Sequence, residues 1–533
     1  MRSLTWFFVL LVGFTAPGSL AHAQGTQPAS KADGSSSVSA SKEEVNQLRS
    51  EVAAQRQTIE ELKAMVGKLV EANARATDNA SAHVVADTPS AGSNAQLVDA
   101  ALGQPYPGAE MALVDQAQPS APKKEAPLTA GWNGEHFFIR SADGQAGINP
   151  YGYVQTDYRA YTRGPANTFI VRRARFGFQG FYGKHFDFAI LTDANSTSGA
   201  IVRDVYLNTR IKPEIQFQAG QFKEPFGQEL STGATNLDFI ERGLQALLYP
   251  SVASAFRSPG ITLHGDIYHG AVQYFVGAFN GRGSVIPAVV SEPELVGRVR
   301  LYPWRNTKND WLKQLALGGS VAHADSRGLS GDLSFSGTLP DASYAFFPQL
   351  RINGPIWRYG ADFTFLKGPY ALRGEYVQVQ QQRDSVGSEQ LLGLGFLTLP
   401  GVGAKAWNIS TTYLLTGEKQ PENGTPRVKH PLFGPDTPET GAGRGWGAWG
   451  LAFRYSAIQA IAPGANFLDF FTPGFVPTYS YRTTQFTMGF NWYLNYWVKY
   501  QFNFNINQQA QPSVAGQPPG TVYVFSQALQ YRF

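Results

Sequence analysis

From about residue 132 to the last residue, apolar and polar positions alternate with a period of two. Between 498 and 507, Val498, Tyr500, Phe502, Phe504 and Ile506 alternate with Lys499, Gln501, Asn503, Asn505 and Asn507. Thr484, Phe486, Met488, Phe490 and Trp492 oppose Gln485, Thr487, Gly489 and Asn491 in the same way. Trp449, Leu451, Phe453 and Tyr455 oppose Gly450, Ala452 and Arg454, and Trp357, Tyr359, Ala361, Phe363 and Phe365 oppose Arg358, Gly360, Asp362 and Thr364. A less regular case sets Leu295, Gly297, Val299 and Leu301 against Val296, Arg298 and Arg300. Period two predicts strands with one apolar and one polar face. A soluble sandwich also alternates. Here, however, the predicted strands are about ten residues long with Trp and Tyr near their ends, which matches a bilayer with its aromatic girdles. A final alternating run, Tyr523, Phe525, Leu529, Tyr531 and Phe533, ends on an aromatic residue, like the assembly signal of outer-membrane barrels. The expectation is an all-β transmembrane barrel of about 16 antiparallel strands, a size that leaves an aqueous channel. Short turns should lie on one side and long loops on the other.

The first 130 residues follow other rules. Arg2, the apolar run Trp6 to Val12 and Ala21-His22-Ala23 before Gln24 predict a signal peptide over 1–23. A polar disordered segment spans 24–40. Ser41 with Glu44 has capping-box spacing and opens a coiled coil over 41–76. Its seam is Val45, Val52, Ile59 and Val66 at one heptad position, and Leu48, Gln55, Leu62 and Leu69 three residues later. β-Branched residues at a with Leu at d favour two strands, whereas a trimeric barrel would impose three; both remain open. Residues 77–130, rich in Ala, Ser and Pro, form a linker, and the barrel domain occupies 131–533.

Composition narrows the function. Charged residues are only 16%, below the usual quarter, while aromatics reach 13%. There is no cysteine, so thiol catalysis and zinc–thiolate sites are excluded. A net charge of +4 without a basic stripe gives no reason to expect nucleic acid as a partner. Neither G-x-S-x-G nor H-E-x-x-H occurs, and the eight histidines lack ligand spacing, so no enzyme, metal or cofactor is expected.

Several stretches resemble the phosphate-selective porin O and P family. They are Gly131-Trp132-Asn133-Gly134 with Phe138 to Gly144, Val171-Arg172-Arg173-Ala174-Arg175-Phe176-Gly177-Phe178-Gln179-Gly180, Gly220-Gln221-Phe222-Lys223-Glu224-Pro225-Phe226-Gly227, and Phe239-Ile240-Glu241-Arg242. Nearer the end come Tyr413 to Glu418, Trp449 to Tyr455 and Gly489 to Tyr493. The resemblance implies a homotrimer of 16-stranded outer-membrane barrels, each narrowed by an infolded loop and selecting small anions such as phosphate with inward Arg and Lys. The segment after Phe226, through Glu241 and Arg242, looks like that constriction loop, with Lys223 at its root. One departure stands out. Where the phosphate-specific members carry a lysine after the Phe-Gly-x-Glu motif, this chain has Leu230. Leucine offers neither charge nor donor, so an anion-leaning channel with weak phosphate specificity is expected.

Alternation also assigns side chains to the lumen. Arg173, Arg175, Arg298, Arg300, Arg358, Arg373, Arg454, Lys499 and Arg532 fall on that face, against Asp187, Asp193, Asp362 and Glu375. A basic wall around water concentrates anions. Arg173 and Arg175 lie about 7 Å apart on one strand, and Asp193 is read as an ion-pair partner for one of these cations. Each arginine could instead brace the wall in a structural ion pair. A second reading, compatible with the first, makes the chain a tether between the outer membrane and the cell wall, through a periplasmic coiled coil and its linker.

Overall fold

The computed structural model describes residues 128–132, 136–195, 202–252, 255–281, 292–309, 311–325, 338–345, 347, 352–386, 397–433, 445–463, 478–510 and 519–533. The expected signal peptide, coiled coil and nearly all of the linker lie outside the described residues.

A short hairpin, β1 (Thr129–Trp132) and β2 (Phe137–Arg140), precedes the barrel. The wall is then built by β3 (Ala146–Tyr161), β4 (Thr168–Tyr182), β5 (Phe186–Asp193), β6 (Val202–Lys212), β7 (Ile215–Lys223), β8 (Arg257–Ile267), β9 (Val272–Phe279) and β10 (Glu294–Leu301). It continues through β11 (Ala316–Asp325), β12 (Pro355–Lys367), β13 (Tyr370–Val386), β14 (Leu397–Leu414), β15 (Ala448–Pro463), β16 (Thr478–Tyr493), β17 (Val498–Gln509) and β18 (Gly520–Arg532). Each strand pairs antiparallel with the next, and β18 returns to β3, with Val524 opposite Tyr161 and Arg532 opposite Tyr153. This closes a barrel of 16 strands and leaves its wall without an edge. Below the end of β18, β2 takes over the same edge of β3.

The side chains face as the period of two requires. Along β15, Trp449, Leu451, Phe453 and Tyr455 are exposed on the outer surface, while Ala448, Gly450, Ala452, Arg454 and Ser456 are buried inside. Along β17 the buried set is Lys499, Gln501, Asn503, Asn505, Asn507 and Gln509. Outward apolar side chains meet lipid, and the backbone is satisfied strand to strand.

The structure departs from the simple alternation in three ways. First, the inner face is not polar throughout. Val377 and Val379 on β13, Val402, Ala404 and Ala406 on β14, Ile458, Ala460 and Ala462 on β15, and Val522 and Val524 on β18 are all buried inside. They form a dry bed for Phe226, Leu230, Leu244, Leu248 and Tyr249 of the infolded loop 224–256 and for Leu339 and Phe347 of the β11–β12 connection. An infolded loop brings its own apolar residues, and these need a matching apolar wall. Second, the turn-bearing end is not uniformly short. Turns 213–214 and 368–369 are tight, but the β14–β15 connection spans 415–447, and part of it enters the lumen.

Third, two β-bulges each add an arginine to the inner face. Gln155 pairs with Arg173 and Thr156 with Val171, so Arg172 is an extra residue in β4. Leu191 pairs with Asp204 and Thr192 with Val202, so Arg203 is extra in β6. A bulge sets two residues against one, which lets neighbouring side chains reach the same side.

Gly220, in the motif leading to the loop, has φ 130°, and a Cβ there would lie 2.2 Å from the Val205 carbonyl oxygen. Gly220→Ala should therefore destabilise the barrel by about 1–3 kcal/mol. A lowered temperature for the heat-induced mobility shift on gels would show it; an unchanged temperature would contradict the reading.

Candidate functional site

The loop 224–256 crosses the lumen and is tied to the wall by charge. Glu241 accepts from Arg159 Nη2 at 2.6 Å and from Arg172 Nε at 2.7 Å, with Arg173 at 3.6 Å. Burial opposes ionisation of Glu241, but Arg172, Arg159 and Arg173 outweigh it and hold its carboxyl well below the usual carboxylate range. The sign follows. A depressed pKa gives stability that is complete above the unfolded value of about 4 and is lost only as pH falls through the folded one. Conductance should therefore stay constant from neutral pH to about pH 5. A conductance change within that window would show that a group other than Glu241 governs how the loop is seated.

Several other inward cations hold infolded segments. Lys223 Nζ donates to the Leu230 and Thr232 carbonyls at 2.9 and 2.8 Å. Lys499 Nζ donates to those of Thr235 and Leu237 at 2.8 and 3.1 Å. Arg242 donates to the Glu229 and Thr232 carbonyls. Arg373 pairs with Asp238 at 2.6 Å. Arg454 lies 4.3 Å from the Phe239 ring centroid, donates to the Glu241 carbonyl at 3.0 Å and approaches Glu229 at 3.4 Å. Arg298 makes a two-pronged bond to Asp362, and Arg358 pairs with buried Glu294. Arg300 and the Tyr302 hydroxyl both donate to Glu422 of the segment entering from the turn-bearing end, at 2.5 and 2.6 Å. That segment meets the loop where Asn236 Nδ2 donates to Asn423 Oδ1 at 2.9 Å. Asp187 pairs with Arg210, and Glu375 accepts from the Tyr249 hydroxyl and the Glu229 backbone N–H. Arg532 donates to the Tyr496 carbonyl at 2.6 Å.

Two cavities lie mainly on the β3–β9 side. One cavity, of about 320 Å3, is on the loop-bearing side and is lined by Arg172, Arg173, Arg175, Arg203, Lys223, Arg242 and Arg257, against Asp193 and Glu241. A second, of about 810 Å3, reaches towards the end where Phe533 lies. Arg175, Lys223, Ala234 and Arg257 line both, so the two cavities adjoin at these residues. Arg175 Nε donates to Asp193 at 2.8 Å, Arg203 Nε reaches the same oxygen at 3.3 Å, and Arg257 forks onto Asp204 at 3.0–3.1 Å. Leu230 is absent from this throat. Its side chain is fully buried with Phe226 and Leu244 in the dry bed, and only its carbonyl reaches Lys223.

Of the residues expected at the site, Arg173, Arg175, Lys223, Arg242, Glu241 and Asp193 come together around the outer cavity. Arg298 and Arg532 line the turn-side cavity. Arg300, Arg358, Arg373, Arg454 and Lys499 line neither; Arg300, Arg373, Arg454 and Lys499 sit on the contacts to infolded segments given above, and Arg358 on a pair within the wall. Sequence reasoning missed Arg172, Arg203, Asp204 and Arg257. Arg172 and Arg203 are bulge residues, and Arg257 follows the loop, so a strict period of two could not place them.

The chain matches the family model "Phosphate-selective porin O and P" over residues 147–289 and 341–533. No curated protein sequence matches it. Among solved structures, it is similar to the loop L8 deletion mutant of OmpT, an outer membrane protein of Vibrio cholerae, with 12% identity, TM-score 0.46, and 73% of this chain and 100% of that chain covered. It is also similar to the outer membrane channel DcaP of Acinetobacter baumannii (12%, TM-score 0.46, 74% and 99% covered). A third likeness is to the anion-selective porin from Comamonas acidovorans (11%, TM-score 0.45, 73% and 100% covered).

Proposed function

The chain belongs to the phosphate-selective porin O and P family of outer-membrane channels, and from that premise we propose that it conducts small anions with little preference for phosphate. The observation that carries this reading is the cationic throat of Arg175, Lys223 and Arg257, where the two cavities meet. Around the outer cavity cations outnumber carboxylates, and a low-dielectric wall focuses that surplus onto passing ions. Phosphate preference is weak because the position of the expected lysine holds Leu230, whose side chain is packed away from water. Barrels assemble as homotrimers in this reading, with the N-terminal segment in the periplasm.

The test is a planar-bilayer measurement of the full chain. The reversal potential across a potassium chloride gradient should have the anion sign, and added phosphate should block chloride current only weakly. A cation-signed potential would overturn the reading.

The heptads at 45–69 favour a second role, holding the membrane to the cell wall through the coiled coil. Deleting residues 24–130 should leave conductance intact and weaken the envelope; an envelope as robust as before would dismiss the tether.

A further inference from the structure

The turn-side cavity sets a group of aromatic side chains among its charged and polar ones. Tyr151, Tyr153, Tyr206, Phe222 and Phe275 all line it. Tyr206 and Phe222 meet edge to face with centroids 6.1 Å apart, and Phe275 stacks on His264 at 5.7 Å and 9°. This aromatic wall leads directly to the throat, where the Arg175 guanidinium lies 5.4 Å from the Tyr153 ring centroid.

The throat cations differ in the donors they have left. Arg257 commits Nε and Nη2 to Asp204 and Nη1 to the Ala255 carbonyl. Lys223 has two loop carbonyls on its ammonium. Arg175 gives only Nε to Asp193, and its two terminal nitrogens have no hydrogen-bond partner among the described residues. A phosphate ion presents oxygens on every side and is best held by donors on every side. Here the open donors of Arg175 lie beside the Tyr153 ring, in a cavity that several further rings line.

We propose that the channel's preferred solutes are organic anions with a planar apolar body, aromatic carboxylates in particular. The carboxylate meets the terminal nitrogens of Arg175, and the ring lies against Tyr153, Tyr206 and Phe222. A planar fork suits a carboxylate, and ring against ring adds an attraction that water does not offer. The cavity's 810 Å3 falls in the range that holds a molecule of this kind. This inference rests on the anion-channel reading and adds a solute class to it.

The experiment uses the full chain in a planar bilayer, with benzoate, acetate and inorganic phosphate each added to potassium chloride at neutral pH. Benzoate should block chloride current at concentrations about tenfold lower than acetate or phosphate. Tyr206→Ala should remove that advantage, and Tyr206→Phe should keep it. Acetate or phosphate blocking as well as benzoate would overturn the proposal, and so would wild-type benzoate block in Tyr206→Ala. If the alanine variant forms no channels, the ranking of the three probes on the unaltered protein decides. A cation-signed reversal potential would instead sink the anion channel itself, so the two failures are distinguishable.

Discussion

Replacing Glu241 by glutamine should release the constriction loop and raise single-channel conductance, with larger current fluctuations. Among the described residues, Glu241 is the one carboxylate that Arg159, Arg172 and Arg173 share. Arg159 and Arg173 are almost wholly buried, so removing the charge leaves them in a poorly solvated site with one carboxylate fewer. Asp157 still holds Arg159, at 3.0 Å, which limits the damage on that side. Breaking a buried pair from one side costs about 3–5 kcal/mol. The loop's apolar residues stay attached to β13, β14 and β15, so the loop should loosen around 235–243 and remain seated at Leu244–Leu248. Conductance and noise equal to those of the unaltered protein would mean that the dry bed alone holds the loop. Arg172→Lys is the comparison. Arg172 is over a third exposed at its side chain, and a lysine there keeps the charge, so the effect should be small.

The second large effect concerns selectivity. Substituting glutamine for both Arg175 and Arg257 should abolish most of the anion preference and move the reversal potential close to zero. At the throat Lys223 and the neighbouring Arg203 would then stand against Asp193 and Asp204, a locally balanced set. Glutamine keeps a donor, so each aspartate retains a hydrogen bond while the field changes. The same double change at Arg300 and Arg358, which line neither cavity, should shift the potential much less. If both double variants shifted it equally, selectivity would arise from the whole wall and not from the throat.

That contrast separates what the sequence determined alone from what needed the fold. Alternation in segments such as 449–455 and 498–507 was enough for strand identity, for the lipid-facing side and for the class of barrel, because side-chain direction in a strand depends only on parity. It also placed Arg173, Arg175, Arg298 and Arg454 inside, without any knowledge of their partners. Parity fails at one inserted residue, so Arg172 and Arg203 became visible only through the bulges, whose positions depend on the pairing of β3 with β4 and β5 with β6. Contact across the lumen is likewise set by closure of the barrel. Nothing local to Glu422 points to Arg300, or local to Asp238 to Arg373. Tertiary structure therefore decided which inward cations brace loops and which line the cavities. The physical reason is that a strand's faces are a local property, whereas a charge's partner is the nearest opposite charge in space.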